Sequence, residues 1–303
     1  MCIRDRLPSV SLGFFSAASV AVAIPTGIQI FCFIATLLAG RVTRSVPLLF
    51  VFGGLATFVL GGITGVMVAL APFDFQAHDS HFVVAHLHSV LIGGTVFPIL
   101  GGIHYYYPLV RAKKLSERIG RGSFWMMFVG FNVTFLPMHL TGLRGMPRRV
   151  FTYADGLGLG GLNLVSSVGA GLLGLGFALF VWDVVRPRRN QPYSERNPWD
   201  AAGLEWTAEM PDQPWGVRTI PEIDSRYPLW DQPDFIGKVD RGEFFLPDAQ
   251  ERRRETIVTS VIDARPLQVL RVPGPTYKTL VAAALTGGAF IAATFHALSL
   301  IHI

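Results

Sequence analysis

The chain has 303 residues, of which 50% are hydrophobic and only 16% are charged, and its mean hydropathy is +0.42. This is the composition of a membrane protein, and it excludes an ordinary water-soluble domain or a disordered chain. The net charge of +5 does not indicate nucleic-acid binding, because 15 of the 21 acidic residues lie between Glu195 and Asp263 and leave basic loops beside the membrane.

Both ends of the chain look foreign. Residues 1–5 and 298–303 can be encoded by one short DNA string and by its reverse complement. That string resembles the transposon-end adapter of sequencing libraries. We therefore treat both ends as adapter-derived and expect the chain to be an internal part of a longer protein.

Apolar runs recur along the chain, and a membrane span needs about 20 such residues. Glycine-rich stretches such as "VGAGLLGLG" let helices pack closely in lipid, and Pro25 predicts a kink in the first run. The fold class predicted is an all-α membrane protein: a transmembrane helix bundle of five spans, plus a sixth C-terminal span after an irregular cytoplasmic segment. The predicted spans lie at roughly 9–38, 47–71, 82–109, 123–143, 158–185 and 277–297.

The segment 190–275 differs from the spans around it. It is rich in proline and acidic residues, contains four of the six tryptophans and has no long periodic pattern. Tryptophans offer large apolar surfaces to bury, so we expect an extended segment that lies on the bundle or on a partner. The domain organisation predicted is a bundle at 6–189, a Pro/Trp-rich cytoplasmic linker at 190–275 and an additional transmembrane helix at 276–297.

Basic residues in the loops predict the orientation in the membrane. Ten of them follow the first, third and fifth spans, whereas three follow the fourth span, so the first group should be cytoplasmic. The cytoplasmic group is Arg41, Arg44, Arg111, Lys113, Lys114, Arg118, Arg121, Arg186, Arg188 and Arg189, and the outer group is Arg144, Arg148 and Arg149.

The stretch "HDSHFVVAHLHSV", residues 78–90, concentrates ionisable groups at the outer end of the third span. His86 and His88 are two positions apart, so on a helix their side chains point about 200° apart. One metal cannot take both rings, but two cofactors on opposite flanks can, and imidazole is a usual axial ligand of haem iron. The alternative is that each histidine makes only an interhelical hydrogen bond.

Two further pairs of charged or polar residues lie on the same outer side. His78 and Asp79 suit a small hard cation, although a solvated loop pair is the simpler interpretation. Arg148 and Arg149 could bind carboxylates through charge-assisted hydrogen bonds, or they could be ordinary interfacial arginines.

Together, "AIPTG", "HDSHFVVAHLHSV" and "MFVGFNVTFLPMHLTGLRGMPRR" resemble subunit I of haem–copper terminal oxidases, most closely the cytochrome c oxidases. The resemblance runs from about residue 13 to about residue 188, over the last five of that subunit's twelve spans. It implies that His86 is the axial ligand of the high-spin haem and that His88 is one of two axial ligands of the low-spin haem. The three histidines that ligate the copper and the second ligand of the low-spin haem are expected upstream of this chain.

The resemblance also assigns the surrounding residues. His78 and Asp79 match ligands of magnesium or manganese near the copper-bearing subunit II. The haem propionates are expected at Arg148 and Arg149, with Asp74 beside that region. The implied cofactors are a-type haems, copper and Mg or Mn; the implied partners are oxidase subunits II and III, cytochrome c and the lipid bilayer of a bacterial inner membrane.

One position departs from the resemblance. Thr26 matches the proton path from the cytoplasm, but Gln29 stands where the commonest cytochrome oxidases carry a lysine. The two residues share a helix face. Glutamine can align water but cannot hold a proton, so the route or efficiency of this path is in question.

The function predicted is that of a terminal-oxidase catalytic subunit, of which this chain alone would be inactive. A quinol oxidase of the same superfamily is the nearest alternative, and Asp79 favours cytochrome c because quinol enzymes commonly lack a carboxylate there. A proton-conducting transporter without haem, or a structural membrane subunit, would not require two histidines on opposite helix faces.

Overall fold

The computed structural model describes residues 8–154, 156–187, 192–208, 221–223, 225–244, 255–263, 265–274 and 276–294. The chain divides into two compact units, Met1–Ser194 and Glu195–Ile303. The ends predicted to be adapter-derived lie outside the described residues.

The elements of the first unit that the structure describes are all helices. Five of its helical segments are long and apolar enough to cross a membrane, as predicted. The helices are α1 (Ser9–Ala21), α2 (Ala23–Ala39), α3 (Val46–Ala69), α4 (Ala71–Ala77), α5 (His81–Leu91), α6 (Phe97–Arg111), α7 (Glu117–Leu143) and α8 (Gly160–Val185).

The first span is interrupted where the sequence predicted a kink. Helix α1 ends at Ala21 and α2 begins at Ala23, four and two residues before Pro25. Because proline has no N–H and its ring clashes with the carbonyl four residues earlier, the regular hydrogen bonding cannot pass through Ala21. The break therefore lies one turn before the proline.

The third span changes its helical type part-way. Helix α5 passes into a five-residue π-helix, Ile92–Val96, before α6 begins. The apolar pattern at 82–109 predicted a span but gave no sign of this change in helical type. The π-helix ends two residues before Pro98, which cannot donate a backbone hydrogen bond.

Close glycine contacts bring the helices together, as the glycine-rich stretches predicted. A Cβ built on Gly169 of α8 would lie 2.6 Å from the backbone nitrogen of Thr134 in α7. A Cβ built on Gly61 of α3 would lie 2.9 Å from the backbone nitrogen of Val90 in α5. Only residues without a side chain permit these distances, so glycine sets the spacing of both helix pairs.

An aromatic core fills the space between α3, α6, α7 and α8. Phe50 and Phe97 are fully buried, and the ring of Phe50 makes an edge contact with Phe124. The other fully or nearly buried members are Val46, Leu100, Met127, Phe131, Phe135 and Phe180. This core fixes α7, which carries one side of the candidate site.

The second unit contains more regular structure than predicted. The linker was predicted to be irregular, but β1 (Glu255–Thr259) and β2 (Pro266–Arg271) form an antiparallel hairpin. The prediction missed it because a two-stranded hairpin gives no long periodic signal. The unit also has a 3₁₀ turn at Leu204–Thr207, and short helices α9 (Pro228–Asp231) and α10 (Phe235–Asp240).

Two tryptophans of the second unit are buried or hydrogen-bonded within it. Trp206 is fully buried, and the indole N–H of Trp230 donates to the carbonyl of Asp200 at 2.7 Å. The region of the sixth predicted span contains α11 (Lys278–Thr294), a 17-residue apolar helix that is shorter than the five candidate spans of the first unit. Residues 295–297 of that predicted span lie outside the described part of the chain.

Candidate functional site

Helix α5 packs against α3 on one side and α7 on the other, and His86 faces α3. Its Nδ1–H donates to the backbone carbonyl of Gly61 at 3.0 Å, and the Thr64 hydroxyl lies 3.2 Å from the same nitrogen. A Cβ built on Gly65 would lie 2.8 Å from Cε1 of His86. The ring therefore lies directly on the α3 backbone at a position that only glycine leaves open.

His88 faces the other neighbour of α5. Its ring stacks on Phe135 of α7, with centroids 4.5 Å apart and planes 17° apart. Its Nδ1–H donates to the carbonyl of Val84 in its own helix at 2.8 Å. The two rings thus contact different helices, as the separation of about 200° requires.

In both rings the nitrogen that could bind a metal is Nε2. A carbonyl can only accept a hydrogen bond, so each Nδ1 carries the proton and each Nε2 presents a lone pair. Within the described residues, Nε2 of His86 and Nε2 of His88 make no hydrogen bond. Histidine ligands of metals are commonly oriented in this way, with the other nitrogen bonded to a carbonyl. The rings therefore fit two separate axial ligands.

The His-Asp motif before α5 and the Met-Pro-Arg-Arg motif after α7 meet at one end of the bundle. The backbone N–H of Arg148 donates to the carbonyl of Asp79 at 2.8 Å, and that of His81 donates to the carbonyl of Met146 at 3.0 Å. Ser80 caps α5 by accepting from the N–H of Phe82. These bonds bring the His-Asp and Met-Pro-Arg-Arg elements together.

Charges are paired within this junction. Arg148 donates from both Nε, at 2.6 Å, and Nη2 to Oδ1 of Asp79. His78 lies 3.5 Å from Oδ2 of Asp79 and 3.7 Å from the buried carboxylate of Asp74. Arg149 is exposed and makes no ion pair with a described residue.

Two residues of the junction adopt backbone conformations that few side chains take. Asp79 has φ +56° and Arg149 has φ +64°, both in the left-handed region. Such conformations cost on the order of 1–3 kcal/mol each and are concentrated at functional sites. The two residues belong to the His-Asp and Met-Pro-Arg-Arg motifs.

A complete metal site is not formed by the described part of the chain. No group of three or more histidine, cysteine or acidic side chains there could hold a metal ion. His78 and Asp79 are adjacent and could supply two ligands, so Mg or Mn at this place needs further ligands from elsewhere.

The two residues matched to a proton path share one face of α2. The Thr26 hydroxyl donates to the carbonyl of Val22 at 2.9 Å. Gln29 lies at the wall of a cavity of 520 Å³, together with Phe58 of α3 and Thr95 of the π-helix. Gln29 therefore faces the bundle, one turn from Thr26.

Three other histidines of the bundle make packing or hydrogen-bonding contacts. His104 is buried and stacks on Phe50, and Nδ1–H of His139 donates to the carbonyl of Phe135 at 3.0 Å. His81 is half-buried, and its Nδ1 lies 3.5 Å from the Thr141 hydroxyl.

Sequence reasoning missed Thr64, Gly65 and Phe135 as neighbours of the two histidines. The signal that could have found the first two is "GGITG" in α3, since a threonine between glycines indicates a close helix contact with one polar group. Nothing in the sequence pairs Phe135 with His88, because that contact depends on how α5 and α7 cross.

The motifs and the paired histidines agree with a comparison against known families. Residues 2–172 match the family described as "Cytochrome C and Quinol oxidase polypeptide I". The chain belongs to this family. The resemblance drawn from the three motifs is therefore confirmed.

Relatives within the oxidase polypeptide I family carry two different names. Cytochrome c oxidase subunit 1 of Alkalihalophilus pseudofirmus is 39% identical over 73% of this chain, and that of Bacillus subtilis is 40% identical over 74%. Quinol oxidase subunit 1 of Bacillus spizizenii is 39% identical over 70% of this chain. The chain spans only 33–36% of the length of these relatives.

A solved structure supports the fold. A haem–copper terminal oxidase dimer determined by cryo-EM matches 61% of this chain and 38% of its own chain, with a TM-score of 0.52 and 18% identity. This similarity shows a shared arrangement of helices. The predicted membrane helix bundle is confirmed.

Proposed function

We propose that the chain is part of the catalytic subunit of a bacterial terminal oxidase that transfers electrons from cytochrome c to oxygen and pumps protons. Two a-type haems and a copper ion, when bound, would supply the electron transfer and the reduction of oxygen to water. The proposal is carried by one observation: His86 and His88 direct metal-competent Nε2 atoms from opposite faces of one helix.

His86 is the proposed ligand of the high-spin haem and His88 that of the low-spin haem. The contacts support different roles, because His86 is held from a neighbouring helix whereas His88 is held by its own helix and by an aromatic ring. The copper ligands and the second low-spin ligand would come from parts of the protein beyond this chain.

The junction of the two outer motifs is the proposed site for the haem propionates. The exposed guanidinium of Arg149 is available to a carboxylate. Arg148 is already paired with Asp79. When a propionate binds, the Arg148 guanidinium would either contact both carboxylates or leave Asp79 for the propionate. The buried carboxylate of Asp74 lies 3.7 Å from His78 and adds negative charge beside Asp79, which favours a bound cation there.

Mg or Mn would be held by His78 and Asp79 together with ligands from a neighbouring subunit. The supporting observation is that the two side chains point at each other across 3.5 Å at the end of the bundle. A cation there would replace the contact between His78 and Asp79, and oxygen ligands suit both metals.

The sidedness and partners follow from the charges and the family. The linker 190–275 is proposed to be cytoplasmic, and the junction of His78, Asp79, Arg148 and Arg149 is proposed to lie on the outer side, where subunit II would meet it. Subunit III would be a further partner. Thr26 and Gln29 are proposed to line a proton path, in which Gln29 aligns water rather than carrying a proton.

A quinol oxidase is the second candidate. Relatives of both names match with nearly equal identity, so the electron donor has to be measured. Asp79 supports cytochrome c, because it supplies a carboxylate toward the proposed metal site beside subunit II.

The experiment is to express the full-length subunit with its operon partners and to record reduced-minus-oxidised spectra of the membranes. We expect bands from two haems and oxygen uptake that depends on reduced cytochrome c. Uptake driven by quinol alone would select the second candidate. Membranes without any haem bands would refute the oxidase and favour a transporter without haem.

A further inference from the structure

The Thr64 hydroxyl is placed among three polar atoms on the surface of α3. It lies 2.9 Å from the carbonyl of Gly61, 3.4 Å from that of Leu60 and 3.2 Å from Nδ1 of His86. Thr64 is only 8% exposed, so no bulk water competes for these contacts. The hydroxyl is therefore engaged on both sides, by its own helix and by α5.

The protons in this group can be assigned. Nδ1 of His86 donates to the carbonyl of Gly61, so it carries a hydrogen and cannot accept one from Thr64. The hydroxyl proton of Thr64 therefore goes to a carbonyl of its own turn, which is a common bond for threonine in a helix. This leaves the hydroxyl oxygen free to accept the second branch of the Nδ1–H hydrogen bond.

We infer that Thr64 is a positioning residue for His86: its hydroxyl oxygen and the Gly61 carbonyl together hold the Nδ1–H group and fix the plane of the ring. The inference rests on the proposed role of His86 as an axial haem ligand. A single acceptor would let the ring pivot about one hydrogen bond, whereas two acceptors on successive turns of α3 define its orientation.

The side chain of Thr64 suits this role. Its β-branch restricts χ1, and the bond to Gly61 locks the hydroxyl in place. His88 differs, because among the described residues its Nδ1–H has one acceptor, the Val84 carbonyl of its own helix. Two acceptors also draw the Nδ1–H proton away from the ring more strongly than one, which makes Nε2 a better electron donor to iron.

The test uses the full-length oxidase, purified with its haems. Thr64→Val removes the hydroxyl and keeps the shape, Thr64→Ala is a second hydroxyl-free variant, and Thr64→Ser keeps the hydroxyl. Thr57→Val is the matched control, since Thr57 lies in the same helix, is buried, and its hydroxyl has no hydrogen-bond partner among the described residues. The measurement is the iron–histidine stretching band of the reduced high-spin haem by resonance Raman, with haem content and the low-spin optical band recorded alongside.

We expect Thr64→Val and Thr64→Ala to shift the iron–histidine band to lower frequency and to weaken retention of the high-spin haem by about 10-fold or more. Thr64→Ser and Thr57→Val should give the wild-type band, and the low-spin band should stay unchanged in all four variants. A wild-type iron–histidine band in both hydroxyl-free variants would overturn the inference, and the presence of both haems in those samples would still support the proposed function. A shift in Thr64→Ser as large as that in Thr64→Val would also overturn the inference, because the methyl group would then be responsible. A wild-type protein without haem would refute the proposed function and this inference with it.

Discussion

Replacing Gly65 with alanine tests how closely His86 is held against α3. The added Cβ would lie 2.8 Å from Cε1 of the ring and 3.5 Å from Nε2. Carbon atoms in good contact are about 3.5 Å or more apart, so the ring must retreat by about 0.7 Å. This movement carries Nδ1 away from the Gly61 carbonyl, which it now contacts at 3.0 Å.

The size of each effect decides which readout to use. Overpacking a well-filled contact costs about 1–3 kcal/mol, but alanine gains about 1 kcal/mol over glycine in a helix. The net change in the stability of the apoprotein is therefore small. Displacing an axial ligand and stretching its supporting hydrogen bond is more serious, because loss of such a supporting contact typically reduces metal affinity about 10–100-fold.

The assay is haem content and the optical spectrum of the purified full-length oxidase. For Gly65→Ala we expect the high-spin haem signal to fall by about 10-fold or more while the low-spin signal is retained. Gly62→Ala is the matched control, because a Cβ on Gly62 meets nothing within 4 Å in the described structure. That variant should bind both haems like the wild type.

Full occupancy and an unshifted high-spin spectrum in Gly65→Ala would refute this reasoning. Equal loss of both haems would also contradict it, since the three described atoms nearest to a Cβ on Gly65 all belong to His86.

Three further predictions concern other parts of the bundle. Asp183→Asn should lower the unfolding free energy by about 3 kcal/mol, because the fully buried carboxylate pairs with Arg186 at 2.9 Å. The readout is a lower melting temperature with unchanged haem spectra. An unchanged melting temperature would show that the pair contributes nothing to stability. Phe135→Leu should shift the low-spin optical band alone and lower the unfolding free energy by about 0.5–1.5 kcal/mol, because it removes the ring that stacks on His88. Optical spectra and thermal unfolding measure the two effects, and a shifted high-spin band would contradict the prediction. Gln29→Lys should raise the steady-state oxygen uptake of the full-length enzyme by adding an ionisable group to the proposed proton path, and unchanged or lower uptake would argue that protons take another route.

The positions of the five spans could be predicted from the sequence because lipid imposes a length and an apolar composition on each one. The opposite orientation of His86 and His88 could also be predicted, since it follows from helix geometry alone. Both are local properties, which a pattern of residues records directly.

The contacts around the histidines could not be predicted in the same way. That Thr64 and Gly65 face His86, and that Phe135 stacks on His88, depends on how three helices cross, and no residue pattern states the crossing. The π-helix at Ile92–Val96 and the hairpin β1–β2 were missed because each is too short to give a periodic signal. The roles assigned to the outer residues and to Gln29 remain predictions.

The most direct test of two haems on one helix is a pair of optical spectra from full-length oxidase carrying His86→Ala or His88→Ala. The account predicts that His86→Ala removes the high-spin haem signal and keeps the low-spin signal, whereas His88→Ala does the reverse. Loss of the same signal in both variants, or a wild-type spectrum in either one, would contradict it.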